Sequence, residues 1–457
     1  MPRKLRPGVV DAGDFEARTY RAVTWRLLPF LFLCYILAYL DRVNVGFARL
    51  QMQADLGLSD TAYGIGAGIF FIGYFFFEVP SNLLLRRVGA RLWIARIMVI
   101  WGLVSSAMMF TSSQTSFYVL RFLLGVAEAG FFPGVILYLT FWYTRAHRAR
   151  VVALFMTAIA LAGVLGGPLS GWIMDRMGGV GGLRNWEWLY LLEGLPSVIV
   201  GVIVLFYLDD GPERASWLTA EQKALLARRL AEEEAAKASE GHQVHRTADA
   251  FRTPAVWVLS LIYFGCVMGI YGVTFWLPQI INETITRDPW RIGLVSMIPW
   301  GVAAVTAVLV GASSDRQQER RWHIAGSAAV GAVAFALSGL PGLSGWAGLA
   351  CLTVATAGVL AATTTFWSLP TAILSGSAAA AGIAWINSLG NLSGYVSPFV
   401  VGMIRDATRD AAHPNGNMLL ALLVLAGSLL LAGVLTLMAT KPGVKARPQD
   451  ARSLRRV

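Results

Sequence analysis

Charged residues are scarce in this sequence, since Asp, Glu, Lys and Arg make up only 14% of its 457 residues. An ordinary soluble domain carries about 25%. Cysteine is scarcer still: Cys34, Cys266 and Cys351 stand far apart in apolar runs and form no disulfide framework. The histidines lie in connecting segments, so no metal-binding cluster can be recognised. These shortages exclude a soluble globular domain, a disulfide-rich scaffold and a metal centre.

Catalytic motifs are missing as well. The sequence contains no paired nucleophile and base and no glycine-rich loop of the phosphate-binding type. Its one long polar segment, residues 209–254, is too short to be a catalytic domain. We therefore expect a protein that is not an enzyme.

Long apolar runs are abundant, because hydrophobic residues make up 56% of the chain. A helix that crosses a bilayer needs about 20 mostly apolar residues. Twelve stretches of this kind begin near Leu27, Tyr63, Leu92, Phe117, Val151, Trp188, Val256, Ile292, Ile324, Trp346, Ala379 and Met418. The composition predicts an all-α integral membrane protein with 12 transmembrane helices.

The polar segments divide the predicted protein into five parts. We expect an N-terminal tail over 1–26, a six-helix bundle over 27–208, a linker over 209–254, a second six-helix bundle over 255–440 and a C-terminal tail over 441–457. Thr219 and Gln222 have the spacing of a helix start, which indicates a short amphipathic helix in the linker. The first apolar run lacks a small-residue cleavage pattern, so we expect a retained span and not a signal peptide.

The basic residues are unevenly placed, and the net charge is +11. They cluster in the two tails and in the connections that follow an even number of spans, a distribution typical of the cytoplasmic side. We therefore expect both termini in the cytoplasm and no nucleic-acid partner. Five of these residues are expected to contact anionic lipid headgroups and gate loops: Arg145, Arg148, Arg150, Arg316 and Arg320.

The two halves show weak internal similarity, which favours parallel repeats. The fifth and eleventh spans share a spacing of small residues, proline and aspartate: Gly163, Gly167, Pro168, Gly171 and Asp175 in one, and Gly390, Gly394, Pro398, Gly402 and Asp406 in the other. Small residues let helices approach closely inside a bilayer. Close helix packing therefore explains most of the glycines.

Three motifs carry a resemblance to a known family. Residues 38–46 read AYLDRVNVG, residues 73–83 read GYFFFEVPSNL and residues 121–133 read RFLLGVAEAGFFP. Over nearly its full length the chain resembles the major facilitator superfamily, and these motifs are similar to those of its anion:cation symporters. The resemblance implies a proton-coupled importer of an organic anion in the bacterial inner membrane, with two six-helix bundles, no cofactor besides protons, and a monomeric state.

One superfamily signature is incomplete. The loop after the second span keeps Gly89 and Arg91 but lacks the expected first glycine and aspartate, whereas the equivalent second-half loop keeps Gly311, Asp315 and Arg316. The resemblance therefore predicts a cytoplasmic gate that involves Arg91, Asp315 and Arg316. Glu78, near the inner end of the second span, is expected to replace the missing acid.

Four charged residues inside the apolar spans stand out: Asp41, Arg42, Arg121 and Glu128. An ionisable group near the bilayer centre costs at least about 2.5 to 3.5 kcal/mol and usually serves a function. A guanidinium matches the geometry of a carboxylate, so we expect Arg42 and Arg121 to bind the substrate and Asp41 and Glu128 to carry protons. The alternative is that these acids only pair with the arginines to make burial tolerable.

Neutral polar residues complete the predicted site. Tyr39 and Tyr74 match tyrosines that touch substrate in similar sugar-acid symporters, and the second half offers Thr365, Trp367 and Asn387. Ordinary helix packing and hydrogen bonding between helices is the alternative role for these residues. Similar sugar-acid transporters present an amide from the fifth span, which is absent here, and this favours a shorter diacid such as tartrate or a more hydrophobic carboxylate.

Other functions stay open from the sequence. The expected substrate is tartrate or a sugar acid, and the runner-up is an aromatic carboxylate such as phthalate or hydroxyphenylacetate. The fifth-span glycines resemble a motif common in antiporters, so a proton-driven exporter or an anion exchanger is a rival. A receptor that binds the anion without moving it is a further rival, disfavoured by the intramembrane acids.

Overall fold

The computed structural model describes residues 12–239, 253–373, 377–411 and 414–440. Within these residues all regular structure is helical, with no β-strand. The first half contains eight α-helices, because two of its six spans are broken: α1 Ala12–Val43, α2 Val45–Asp55, α3 Asp60–Val88, α4 Ala90–Ala107, α5 Gln114–Glu128, α6 Phe131–Thr140, α7 Arg145–Arg176 and α8 Asn185–Tyr207.

The second half follows the linker helix α9, Ala220–Ser239. Its spans are α10 Pro254–Thr284, α11 Pro289–Gln317, α12 Arg321–Ser338, α13 Gly345–Phe366 with the short α14 Ser368–Ile373, α15 Ser377–Ala407 and α16 Met418–Ala439. When α1 is counted with α2, α5 with α6, and α13 with α14, ten of these spans are long and apolar enough to cross a membrane. Helices α12 and α15 complete the predicted twelve. The all-α membrane fold is confirmed.

Local sequence accounts for where spans begin and break. The Ser59 side chain accepts a hydrogen bond from the Ala62 N–H at 3.0 Å, and Ser113 forms a capping box with Ser116, so α3 and α5 begin with satisfied backbone donors. Gly130 has a φ of 86°, in the left-handed region that favours glycine. This residue separates α5 from α6 and leaves Glu128 at the last position of α5.

The two halves meet along three pairs of spans, with α3 against α15, α7 against α11, and α2 against α10. We call the end of the bundle that carries α9 the linker end, and the opposite end the distal end. At the distal end the backbones touch: a Cβ at Gly402 of α15 would meet the carbonyl of Asp60 on α3. Only glycine permits this approach, so the halves are closed against each other at the distal end.

Helix α9 is fastened to the first half at the linker end. Thr219 and Gln222 cap its start reciprocally, at 3.0 and 3.2 Å, as their spacing predicts. Arg229 of α9 donates to the Glu16 carboxylate of α1 at 2.5 Å, and this hydrogen bond raises the pKa of Arg229. The linker helix therefore belongs structurally to the first six-helix bundle.

Candidate functional site at the interface of the two halves

A buried ion pair lies where the two halves face each other. Arg42 of α1 donates its Nη2 to Oε1 of Glu128, and the two side chains are only 10% and 1% exposed. The other guanidinium nitrogen, Nη1, lies 3.4 Å from the Tyr271 hydroxyl of α10. The structure thus joins two sequence-predicted residues of the first half and connects them to a residue of the second half.

Aromatic rings surround this guanidinium. Its carbon lies 5.3 Å from the ring centre of Phe70, 6.0 Å from Phe71 and 5.5 Å from Tyr74, all on α3. A cation over aromatic faces is stabilised without being neutralised. Arg42 therefore keeps a positive charge in an apolar setting, and the predicted residue Tyr74 lies beside it.

Arg121 of α5 is buried in a different span from Arg42, and its hydrogen-bond partners differ from those of Arg42. Its Nε and Nη2 donate to the backbone carbonyls of Gly66 and Ala67 at 3.3 and 3.0 Å. These carbonyls carry no full charge, so Arg121 remains a cation inside the first half. Its predicted contact with a substrate carboxylate stays a prediction.

Several buried polar atoms near the interface have no hydrogen-bond partner among the described residues. They are Tyr39 OH, Thr365 Oγ1, Glu128 Oε2, Arg42 Nε and Arg121 Nη1. A buried polar atom usually finds a partner, because an unmet hydrogen bond costs about 1 to 3 kcal/mol. These atoms can receive a polar ligand, and all five belong to residues that the sequence singled out.

A second polar contact crosses the interface nearer the linker end. Glu78 of α3 accepts hydrogen bonds from Asn387 at 3.3 Å and from Ser388 at 3.2 Å, both on α15. The predicted substrate residue Asn387 is thus bonded to the predicted gate residue Glu78. Trp367 lies apart from this contact, with its ring packed edge-on against Tyr263 at 4.8 Å.

Asp41 points away from the interface, into the first bundle. Its carboxylate accepts hydrogen bonds from Trp101 at 3.0 Å, Ser105 at 2.6 Å and Ser197 at 2.6 Å, which belong to α4 and α8. The acid is fully buried. Although it is adjacent to Arg42 in sequence, it does not share a site with that residue, and its proton-carrying role stays a prediction.

The gate loops at the linker end contact their own halves. The Arg91 N–H donates to Asp210 at 3.0 Å, and Asp315 pairs with Arg320 at 2.5 Å. Arg316 is exposed. Among the residues described at this end, no ion pair joins the two halves. The only cross-interface member of the predicted gate that the described residues reveal is Glu78.

The same second-half loop carries a local charge cluster. Burial by itself would raise the pKa of Glu319, but hydrogen bonds from the Trp322 N–H and from His323 outweigh it and lower that pKa. The Glu319 carboxylate lies 2.8 Å from His323 Nδ1. This pair caps the start of α12 and stabilises the loop, without reaching the first half.

Charged residues join the halves at the distal end. Asp60 of α3 is 2% exposed and lies within 3.0 Å of three guanidinium groups, those of Arg49 at 2.5 Å, Arg405 at 2.9 Å and Arg409 at 3.0 Å. Arg405 of α15 also pairs with Glu283 of α10 at 2.7 Å. We call these five residues the distal ion cluster.

The distal ion cluster is extended by backbone contacts. Asp406 of α15 accepts hydrogen bonds from the N–H groups of Asp60 at 3.2 Å and Thr61 at 2.7 Å. A carboxylate at the start of a helix also interacts favourably with the helix dipole. The start of α3 is therefore held by α15 through both its side chain and its backbone, which stabilises the closed distal end.

Neutralising Asp60 is expected to open the distal end. In Asp60→Asn, three arginines lose their shared carboxylate, and breaking a buried pair on one side costs about 3 to 5 kcal/mol. The equilibrium then shifts towards a conformation in which the halves separate there. Spin labels at Asp175 and Arg287, exposed positions of opposite halves, are expected to move apart.

The control for this measurement is Arg184→Gln at the same end. Arg184 pairs with Asp55 at 3.4 Å inside the first half, so its loss is expected to leave the label distance unchanged. An unchanged distance in Asp60→Asn, with the protein still folded, would show that the distal ion cluster does not hold the halves together.

Sequence reasoning missed several residues of these contacts. Tyr271 and Ser388 are neutral side chains in apolar spans, and nothing in their spacing marks them. Asp60 and Arg405 lie near span ends, where charges are ordinarily solvated. One signal for the distal contacts was present in the sequence. Asp406 occupies the same position in the eleventh span as Asp175 in the fifth, and it thereby marks the end of α15.

Comparisons with known proteins identify the family of this chain. The model of the Major Facilitator Superfamily matches residues 31–398. A "Putative tartrate transporter" of Agrobacterium vitis is 47% identical over 97% of this chain and 96% of its own length. A "Quinolone resistance transporter" of Acinetobacter baumannii is 42% identical, over 91% and 95%. The fold is similar to the crystal structure of a D-xylose-proton symporter, with a TM-score of 0.72, 16% identity, and coverage of 93% and 99%.

Proposed function

The chain belongs to the major facilitator superfamily and is a multi-pass membrane transporter, and we propose that it imports a small organic anion together with protons by alternating access. The observation that carries this proposal is the Arg42 and Glu128 pair. It lies between the two halves, and both members retain a buried polar atom without a partner. A cation and an acid that contact each other at a moving interface can exchange partners as the halves rock.

The pair suggests how proton and anion binding are linked. In the structure one arm of the Arg42 guanidinium is occupied by Glu128. A proton on Glu128 neutralises this partner, so the donor fork of Arg42 becomes available to a substrate carboxylate. Anion binding at Arg42 in turn favours the protonated acid. Asp41 is the predicted second proton carrier, and its enclosed position makes it a separate site.

The energetics favour this coupling. Entry of a monoanion with two protons moves one net positive charge inward, which gains about 2.3 kcal/mol per 100 mV of membrane potential. Since about 1.4 kcal/mol corresponds to a tenfold ratio, this gain supports an anion gradient of roughly 50-fold. Proton coupling is therefore sufficient to concentrate a scarce nutrient.

We propose a carboxylate as the substrate, with tartrate or a sugar acid first. Support comes from the fork of Arg42, the unpartnered hydroxyls of Tyr39 and Thr365, and the similar protein that is named a putative tartrate transporter. The rings of Phe70, Phe71 and Tyr74 around the guanidinium favour the runner-up, an aromatic carboxylate. Arg121 and Trp367 complete the predicted substrate set.

A proton-driven exporter is the second candidate. One specific observation favours it: a relative 42% identical to this chain is named a quinolone resistance transporter. The glycines of α7 that resemble an antiporter motif point the same way. In both directions the same ion pair lies between the halves, so the direction of flux has to be measured.

The orientation follows from charge. We propose that the protein lies in the bacterial inner membrane with both termini and α9 in the cytoplasm, because the basic clusters lie at the linker end. The distal end then faces outwards and is the closed one in this structure. Anionic lipids are the expected partners of the basic loops, and the protein is expected to act as a monomer.

Uptake by purified protein in liposomes tests the proposed function. With an inward proton gradient, one of four labelled anions (tartrate, a sugar acid, phthalate or hydroxyphenylacetate) is expected to accumulate above its outside concentration. Liposomes with the gradient collapsed by an ionophore are the control. Absence of inward accumulation for every anion, together with outward loss of preloaded anion under the same gradient, would favour the exporter.

A further inference from the structure

A further buried acid, Glu193 of α8, lies in the first half, behind the interface site. We propose that Glu193 is a proton-binding site, in which its protonated carboxyl is held between Ser170 of α7 and Asn44 at the junction of α1 and α2. This inference concerns the protein without substrate and does not depend on which anion is carried or in which direction.

Glu193 of α8 is enclosed within the first half. It is 3% exposed, and its Oε1 accepts a hydrogen bond from the Ser170 hydroxyl at 2.7 Å. Its Oε2 is buried and has no hydrogen-bond partner among the described residues. An ionised carboxylate with one neutral donor and one bare oxygen is poorly compensated inside a membrane protein.

Asn44 is the second polar group at this site. This residue is fully buried beside Glu193, and neither its side-chain oxygen nor its side-chain nitrogen has a hydrogen-bond partner among the described residues. A buried amide without partners is rare. A proton on Oε2 of Glu193 would make that oxygen a donor to the Asn44 carbonyl, whereas an ionised Oε2 would accept from the Asn44 amide nitrogen, so the protonation state decides which way this contact is made.

The neighbouring charges favour a neutral Glu193. Asp41 lies three residues before Asn44 on α1, and Ser197 lies four residues after Glu193 on α8, so the two acids stand about one helical turn apart along a shared face. Asp41 accepts three hydrogen bonds, whereas Glu193 accepts one. A second negative charge so close is unfavourable, because neither acid has an arginine or lysine ion-pair partner among the described residues.

The titratable and charged groups that face the two acids are few. Asp41 interacts with Glu128 across α1, and Glu193 interacts with Asp41 and with Tyr190 of its own helix. The remaining contacts of the pair are hydroxyl, amide and indole groups. The nearby cations Arg121, which acts on Tyr190, and Arg42, which pairs with Glu128, form no ion pair with either acid, so a bound proton is the simplest way to neutralise Glu193.

The proton has a positioning consequence. Asn44 ends the segment that contains Asp41 and Arg42, so the bond from Glu193 fixes the junction just beyond the substrate-binding arginine. Loss of the proton would leave a buried charge against Asn44 and loosen this junction. Glu193 is therefore a positioning residue, which acts on Arg42 through the α1 and α2 junction and not through contact with the anion.

Infrared spectroscopy of the purified protein without substrate tests the proton directly. The carbonyl stretch of a neutral carboxylic acid is separate from the carboxylate bands and shifts in deuterium oxide. We expect such a band at neutral pH in the native protein, its loss in Glu193→Gln, and its persistence in the matched control Glu187→Gln. Glu187 lies on the same helix and caps its start through the Arg184 N–H at 2.7 Å.

Stability against pH provides the second readout. If the folded protein binds one proton at Glu193 that the unfolded chain releases, the unfolding equilibrium constant rises by up to about tenfold for each pH unit. Glu193→Gln imitates the neutral acid, so its unfolding constant should lack this contribution as pH rises. Glu187→Gln should keep the native pH dependence.

Two results would overturn the proposal. One is a native protein with no neutral carboxylic acid band at all, a measurement that does not depend on any variant folding. The other is a Glu193→Gln protein that keeps both the native band and the native pH dependence of unfolding. Neither the infrared band nor the pH dependence of unfolding involves anion uptake, so failure of the proposed transport function would leave both measurements unaffected.

Discussion

Replacement of Arg42 by glutamine is expected to abolish anion binding and transport. Arg42 is the cation whose fork lies at the interface between the halves, within reach of Glu128 and Tyr271. Truncating one partner of a buried, hydrogen-bonded charge pair costs about 2 to 5 kcal/mol. This corresponds to a loss of affinity of roughly 30-fold to over 10³-fold, which can be measured by titrating detergent-solubilised protein with the anion identified by uptake.

Loss of Arg42 also leaves Glu128 unpaired, so the fold needs a control. The double variant Arg42→Gln with Glu128→Gln removes both charges and is expected to recover stability without recovering binding, because the uncompensated buried carboxylate is gone. Arg42→Lys keeps the charge but lacks the bidentate fork, and is expected to bind weakly. Near-native affinity in Arg42→Gln would place the anion elsewhere, with Arg121 as the next candidate.

Replacement of Glu128 by glutamine is expected to remove accumulation while leaving exchange. Glutamine imitates the protonated acid, so Arg42 stays available to the anion and the halves can still rock. Without a titrating group at this position, the proton gradient cannot drive the transport cycle. In liposomes the native protein is expected to concentrate a monoanion that enters with two protons by up to roughly 50-fold at 100 mV, whereas Glu128→Gln should equilibrate it and still exchange internal for external anion.

Two further variants sharpen this prediction. Glu187→Gln, a change of the same kind at the exposed start of α8, should accumulate the anion normally. Asp41→Asn separates the two predicted proton carriers, since Asp41 is enclosed by Trp101, Ser105 and Ser197. If Glu128→Gln accumulates the anion as well as the native protein does, coupling belongs to another acid, and the Asp41 variant shows whether it is that one.

The structure shows a conformation in which the distal end is closed, and these experiments start from it. Asp60 and Arg405 hold α3 against α15 there, while Glu78 makes the cross-interface contact nearer the linker end. Both contact sets are formed in this structure, so opening either end in an alternating-access cycle requires the contacts at that end to break. The Asp60→Asn measurement therefore reports the conformational step, and the Arg42 and Glu128 variants report binding and coupling.

The position of Glu128 illustrates what the sequence could and could not predict. Its burial in an apolar span was evident, because a charge among apolar residues is costly and conspicuous. Arg121 lies seven residues before Glu128 on α5, a spacing that places both on one helical face. The structure instead pairs Glu128 with Arg42 of another span, and Arg121 bonds to the α3 backbone. Spacing along one helix cannot reveal which neighbour lies across from it.

Asp41 and Glu193 show a second limit of prediction from sequence, which is the direction in which a buried side chain points. Asp41 and Arg42 are adjacent, and the sequence assigned them to one site. Successive helical residues are rotated by about 100°, so they face different surroundings. Arg42 consequently reaches the interface, while Asp41 enters the first bundle beside the donors of α4 and α8. Only the packing of α1 against these helices decides the orientation.

The sequence by itself determined the membrane class, the helical architecture and the division into two halves, because these depend on the hydrophobicity and length of local segments. It also singled out Arg42 and Glu128, since intramembrane charges are conspicuous. The tertiary structure decided which charges pair, which acid is enclosed and which end is closed. Such contacts depend on helix rotation and on the approach of distant backbones, as at Gly402 and Asp60, and no local pattern encodes them.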